Sequence, residues 1–341
     1  MDRRKIIASL YAILAAVFYA INMPASKLLL NKVEPTLMAS FLYFGAGVGI
    51  GIIYLLNNSK VKENEKLTRS DLPYTIEMIV LDIVAPILLM FGLTKTTSAN
   101  ASLLNNFEIV ATSIIALFIF KEVITKRLWI AIFLITISSM LLSFENLSSL
   151  KFSWGSIFVL SAVVCWGFEN NCTRNISSKN TYEIVMLKGI FSGLGSFIIS
   201  MVIGEKIPEV KYIMIVLALG FVAYGLSIFF YIRAQNELGA AKTSAYYAIA
   251  PFVGTFLSFL FLKEVLTVNY IIALFIMIIG SSIIVIDTMM IEHAHMHTHT
   301  FVHTHNGSTH SHTINHAHAH YHVGEEIKHE HSHSRKTLIH Q

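Results

Sequence analysis

The sequence predicts an all-α integral membrane fold: ten transmembrane helices in a five-plus-five inverted repeat, followed by a disordered C-terminal tail. Three observations carry that reading. Of 341 residues, 54% are apolar and only 13% are charged, against about 45–50% and about 25% in soluble domains. Ten apolar segments approach the roughly 20 residues that a helix needs to cross a bilayer. A five-residue motif of the first half returns in the second. With charge halved and mean hydropathy at +0.62, the chain cannot make a solvated surface, which excludes a soluble enzyme, a disordered protein and a disulfide scaffold. Twenty-five basic and 21 acidic residues are too few for a nucleic-acid binder, despite a pI near 8.9.

The segments fall at 6–26, 36–56, 73–93, 99–119, 127–144, 154–173, 183–203, 211–231, 243–262 and 268–287. Helices are expected over barrel strands, because strands would alternate over about 10 residues and only helices or closed barrels pair every backbone amide in hydrocarbon. Arg3, Arg4 and Lys5 precede the first segment in the manner of a signal peptide, but the apolar run is too long and lacks a small-residue cleavage site, so it reads as a retained helix. Short connections make sequential helices antiparallel neighbours; only 57–72 is a longer polar loop. With the N-terminus inside, seventeen Lys and Arg fall in cytoplasmic loops and six outside. That bias predicts a multi-pass inner (plasma) membrane protein with both termini cytoplasmic. Cys165 and Cys172 share one apolar stretch and read as ordinary helix residues.

The repeat defines the organisation. Lys121-Glu122-Val123-Ile124-Thr125 recurs as Lys263-Glu264-Val265-Leu266-Thr267, an offset of 142 that also aligns Ser102 with Ser244, Ala131 with Ala273 and Ser139 with Ser281. Further upstream, Val17-Phe18-Tyr19-Ala20 lies on Val164-Cys165-Trp166-Gly167. Five helices per copy is an odd number, so the second copy inserts upside down, an architecture of alternating-access transporters. Residues 1–144 form the first copy, 145–290 the second and 291–341 the cytoplasmic tail.

On these residues the chain resembles the EamA-type transporters of the drug/metabolite transporter superfamily. The resemblance covers 6 to about 287 and rests on Trp166-Gly167, Ala248-Ile249-Ala250-Pro251, Glu264, Gly280 and the Ala/Ser-rich fourth and ninth helices that end in Lys-Glu; Lys188 stands where the family commonly has arginine. The first half departs from the pattern with Glu108-Ile109 in place of the proline, Tyr19-Ala20 in place of Trp-Gly, and no glycine pattern in 127–144. The resemblance implies a central cavity between helices 1, 3, 4, 6, 8 and 9 and a cargo among amino acids, sugars, nucleotide-like metabolites, amines and drugs.

Ionisable groups within spans are costly and face a cavity or a partner. Asp82 lies four residues before Pro86, which frees its carbonyl. Ser102, Asn105 and Asn106 share nearly one face of the fourth helix, with Glu108 following. Such side chains also glue membrane helices together, but a carboxylate beside two asparagines favours a binding face. The ninth helix offers Tyr246 and Tyr247 as aromatic walls suited to an organic cation or ring, or as plain packing. In the sixth, Trp166 precedes Glu169-Asn170-Asn171, and Asn22 is the counterpart of Glu169 in the first. Substrate-binding candidates are therefore Glu108, Asn105, Asn106, Asp82, Asn22, Glu169, Trp166, Tyr246 and Tyr247. Lys188 is expected to pair structurally with Glu169 or Asp82, Glu122 and Glu264 to cap helix ends, and the glycines at 45, 47, 49, 51, 189, 193 and 195 to form close-packing faces. Carboxylates outnumber the single embedded lysine, which favours a cationic or zwitterionic solute and proton coupling.

All 16 histidines lie in 293–341, mostly as His-x-His. Clustered imidazoles bind Zn²⁺, Ni²⁺ or Co²⁺, which names His293, His295, His297, His299, His316, His318, His320, His322, His329, His331 and His333 as metal ligands. The run alternates, unlike an expression tag, and a pH-responsive polycation is the other reading. No nucleophile–base pair or phosphate loop is present, so no enzyme is expected and no cofactor is required for transport. The expected function is secondary transport, most simply export, of a small organic solute; a divalent-metal exporter fed by the tail, or a membrane-anchored metal sensor, are the alternatives. Partners are the solute, the bilayer and divalent ions, with no nucleic acid, in a monomer or homodimer.

Overall fold

A computed structural model of the chain describes residues 3–56, 66–121, 124–146, 151–176, 179–238, 243, 246–265, 267–305 and 308–323. Residues 3–285 form one compact unit and the segment from Ile286 a second.

Within the first unit the expected segments fall on helix. The first is split into α1 (Arg3–Ala20) and α2 (Asn22–Leu29). Pro24 lacks the amide that would bond the Ala20 carbonyl, and the break lies between them. Next come α3 (Pro35–Leu56), with proline opening its first turn, and α4 (Leu72–Lys95), which runs through Pro86 without interruption. The fourth segment is α5 (Ser98–Leu104) and α6 (Phe107–Phe120), and α7 (Lys126–Ser143) follows. A short antiparallel strand pair, β1 (Phe144–Asn146) with β2 (Lys151–Phe152), leads to α8 (Trp154–Ile176) and α9 (Thr181–Val202). The eighth segment is α10 (Val210–Gly220), a π-helical turn over Phe221–Leu226 and α11 (Ser227–Leu238). Last are α12 (Ala250–Leu262) and α13 (Val268–Met289). Side chains placed for the purpose start several of these helices: Thr97 accepts from Asn100 N at 3.1 Å, Thr125 from Leu128 N at 3.0 Å, and Asn180 from Tyr182 N at 2.8 Å.

Eight helical spans among the described residues are long and apolar enough to cross a membrane. The two remaining expected segments fall short for different reasons. The α8 helix has 23 residues, but Glu169, Asn170, Asn171 and Arg174 interrupt its apolar run, and α12 has only 13 residues. Burial is inverted relative to a soluble domain. Large apolar side chains such as Leu55, Phe118, Phe133, Val202 and Phe261 are exposed, while Asn22, Asp82, Asn106 and Glu169 are buried. Lipid is the solvent that this distribution fits.

The main helix pairs join the two halves: α4 with α8, α3 with α9, α1 with α11, α5 with α12, α6 with α8, and α1 with α12. Glycine sets the closest of them. A Cβ at Gly189 would stand 2.4 Å from Gly47 Cα, and one at Gly45 would stand 2.1 Å from the Leu217 carbonyl oxygen. Backbone therefore meets backbone where α3 crosses α9 and α10. Two carboxylates tie helix starts across the halves. Glu264 accepts from Ser98 N at 2.7 Å and Ala99 N at 2.8 Å, and Glu205 accepts from Thr36 N at 3.0 Å and Leu37 N at 2.8 Å. Both complement the positive end of a helix dipole. Glu264 is thus the cap expected of it; Glu122 lies outside the described residues. Lys121 and Lys263, at equivalent places, both end their helices in left-handed backbone, with φ of 55° and 53°. Cys165 and Cys172 are free thiols.

The tail departs from the expectation of a disordered segment over 290–323. It pairs as an antiparallel hairpin of β3 (Met290–His305) and β4 (Ser308–Val323). The physical reason is legible in retrospect. His-x-His alternation has the period of a strand, and Asn306-Gly307, the dipeptide most favoured in two-residue hairpin connections, separates the two runs. His329, His331 and His333 lie outside the described residues.

Candidate functional site

Two adjoining polar groups occupy the interior of the first unit. The first is an ionic cluster. Lys188 on α9 lies 3.0 Å from Asp82 on α4 and 2.8 Å from Glu169 on α8. Asp82 is fully buried, Glu169 is 3% exposed, and the lysine side chain 14%. Both counter-ions that the sequence suggested for Lys188 are therefore engaged at once. Tyr43 on α3 donates to Asp82 Oδ1 at 2.8 Å, and Thr173 donates to Glu169. Four helices meet at this cluster, and each charge has an opposite partner, the condition under which buried ions persist.

The second group surrounds a break in the fourth span. Between α5 and α6, Asn106 N bonds the Leu103 carbonyl at 3.2 Å and Glu108 N bonds the Asn105 carbonyl at 3.1 Å, a tightened i→i−3 turn. The equivalent place in the ninth span also breaks, as a turn at Ala248-Ile249 before α12. There Pro251 withholds a donor; the fourth span breaks at Asn105-Asn106 without a proline. Asn105 Nδ2 donates to Tyr19 Oη at 3.0 Å, and Asn170 Nδ2 donates to Glu108 Oε1 at 2.7 Å. Tyr19 packs against Tyr224 and Tyr247, with ring centroids 6.0 Å apart in each case, and Tyr224 against Tyr43 at 5.3 Å. Asn22 Nδ2 donates to Tyr224 Oη at 3.1 Å, so the π-helical turn delivers a hydroxyl to the first span. Such turns concentrate at functional sites.

Beside this break a crevice is lined by Tyr19, Ala20, Met23, Ser102, Asn105, Ala250, Pro251 and Gly254. Its free volume is about 10 Å³, room for one water-sized body. Two buried polar atoms of its lining residues, Ser102 Oγ and Asn105 Oδ1, and both side-chain polar atoms of the following Asn106 have no hydrogen-bond partner among the described residues.

The expected residues are thereby sorted. Asn22, Asn105, Asn106, Glu108 and Tyr247 gather with the tyrosine wall, and Asp82 and Glu169 lie in the ionic cluster. Trp166 is buried in the apolar core, and Tyr246 is half-buried. Sequence reasoning passed over Tyr19, Tyr43 and Tyr224. Their signal was weak: a tyrosine within an apolar span is read as packing until a partner amide or carboxylate is brought to its hydroxyl.

The sequence profile of the EamA-like transporter family matches residues 6–144 and again 153–286. The chain belongs to that family. It is a multi-pass membrane transporter rather than an enzyme, and three proteins named as uncharacterized transporters resemble it along most of its length. One, from Methanothermobacter thermautotrophicus, is 25% identical over 80% of this chain and 84% of its own. Another, from Clostridium kluyveri, is 26% identical over 80% and 91%, and the Bacillus subtilis protein YyaM is 24% identical over 72% and 82%. A solved crystal structure shares the fold with a TM-score of 0.62 at 15% identity, covering 83% of this chain and 97% of the other.

Proposed function

We propose that this EamA-like protein is an alternating-access secondary transporter that exports a small organic solute, cationic or zwitterionic, across the plasma membrane. The observation that carries the reading is the set of unpartnered polar atoms at the α5–α6 break. A buried donor or acceptor without a partner costs about 1–3 kcal/mol, and among the described residues four such atoms gather here, which favours a polar solute at this place. Ser102 and the asparagines offer both donors and acceptors, Tyr19 and Tyr247 a ring surface, and Glu108 a carboxylate one turn on. A protonated amine beside a ring or short carbon chain satisfies all three.

The helix pairing supports two five-span copies related by a twofold exchange, and an odd number of spans per copy turns the second upside down. Exchanging the halves turns the pair of the third and sixth spans into that of the eighth and first, and leaves the second–seventh and fourth–ninth pairs unchanged. The two profile matches and the paired left-handed lysines agree with this arrangement. The Lys and Arg bias in loops supports cytoplasmic termini. Metal export is the poorer reading of the membrane interior, since the Asp82 and Glu169 carboxylates are committed to Lys188.

The test uses the purified protein in proteoliposomes with a library of amines and amino acids. Flux driven by an imposed pH gradient is expected for at least one of them. Asn106→Ala is expected to reduce flux at least tenfold with the protein still folded, and Glu108→Gln to leave exchange but abolish the response to the gradient. Flux that ignores both substitutions would refute the site.

A further inference from the structure

The transporter reading leaves the hairpin unused. Its register pairs His293 with His320, His295 with His318, His297 with His316 and His303 with His310. Directly opposed residues share a face, and every second residue of a strand returns to it. All twelve histidines from His293 to His322 therefore occupy one face of the hairpin. The other face is made of Ala294 with Ala319, Met296 with Ala317, Thr298 with Asn315, Thr300 with Thr313, Val302 with Ser311 and Thr304 with Thr309. This segregation is more than composition: a register shifted by one residue would place the two strands' histidines on opposite faces. The register pairs His305 with Ser308, which leaves two residues between the strands, and the sequence there is Asn-Gly, the dipeptide most favoured at that length.

We propose that β3 and β4 form a divalent-metal site of the zinc class, built on the consecutive same-face rungs His293/His320, His295/His318 and His297/His316. Opposed Cα atoms in such a ladder stand about 4.5–5.5 Å apart, and same-face neighbours along a strand about 6.8 Å. Two adjacent rungs thus bring four imidazole-bearing positions into one small rectangle, the number that a tetrahedral Zn²⁺ site requires. The His303/His310 rung, flanked by His305 and His312, forms a second such group. A two-stranded hairpin is marginally stable alone in water, so metal binding and hairpin formation are one coupled equilibrium. The proposal does not depend on the transported solute.

The experiment uses the full chain in detergent with Zn²⁺ as the probe, and measures affinity by calorimetry and backbone protection of 290–323 by hydrogen exchange. Zn²⁺ is expected to bind and to protect the segment. The deciding variant combines Ala294→His, His295→Ala, Met296→His and His297→Met. It keeps the imidazole count and a His-x-His spacing but moves two β3 histidines off the shared face. The ladder predicts at least a tenfold loss of affinity at the first group with the second retained. Unchanged affinity in this variant, or Zn²⁺ binding without protection, would show an unstructured chelating chain and overturn the proposal. Absence of Zn²⁺ binding in the parent chain would overturn it as well.

Discussion

Lys188 illustrates how one residue sets the cost of everything around it. Its ammonium offsets two carboxylates that lie within 3.0 Å of it in a bilayer interior. Removing one partner of a buried ion pair leaves an uncompensated charge, which typically costs about 3–5 kcal/mol. Lys188→Gln is therefore expected to lower the thermal unfolding temperature in detergent sharply, and the triple variant Lys188→Gln with Asp82→Asn and Glu169→Gln to recover much of the loss. Equal melting temperatures for Lys188→Gln and the parent would mean that the cluster carries no such load. Gly254 is the opposite case, a residue defined by what it lacks. A methyl there would stand 2.9 Å from Ser102 Oγ and 3.3 Å from the Ala20 carbonyl oxygen. Gly254→Ala fills the crevice, so solute binding is expected to weaken at least tenfold while the melting temperature changes little.

Among elements, the second span is the one whose sequence pattern and packing agree most closely. Its glycines announced a close-packing face, and Gly47 meets Gly189 backbone to backbone. Gly189→Leu forces α3 and α9 apart and is expected to abolish folded expression, measured by monodisperse elution in detergent; normal elution would contradict the contact. The fourth span shows the limit of pattern reading. Spacing places Ser102, Asn105 and Asn106 on one face, but the break between α5 and α6 turns them relative to one another, and among the described residues the Asn106 amide finds no partner; periodicity registers neither. The hairpin shows a second limit: its polarity reads as disorder, whereas the period of two and the Asn-Gly dipeptide in the same segment point to paired strands.

At the level of the whole molecule, the loop charges predict sidedness, and this can be measured directly. In a background with Cys165→Ser and Cys172→Ser, Lys66→Cys is expected to react with a membrane-impermeant maleimide only from the cytoplasmic side, and Lys206→Cys only from outside. Labelling from the reversed sides would invert the topology. The helix pairing across the halves, with Glu264 and Glu205 capping helix starts of the opposite half, shows why the halves interlock instead of lying side by side. The membrane class, the apolar segments and the recurrence of a motif from the first half in the second are legible in the sequence by itself, because hydrocarbon imposes length and apolarity on each segment locally. Only the tertiary structure decided which tyrosine hydroxyl meets Asn22 or Asn105, that Lys188 holds two carboxylates and not one, and which polar atoms find no partner among the described residues. Those facts depend on helix rotation and on crossings between distant segments, and a single span's pattern carries no record of its neighbour's angle.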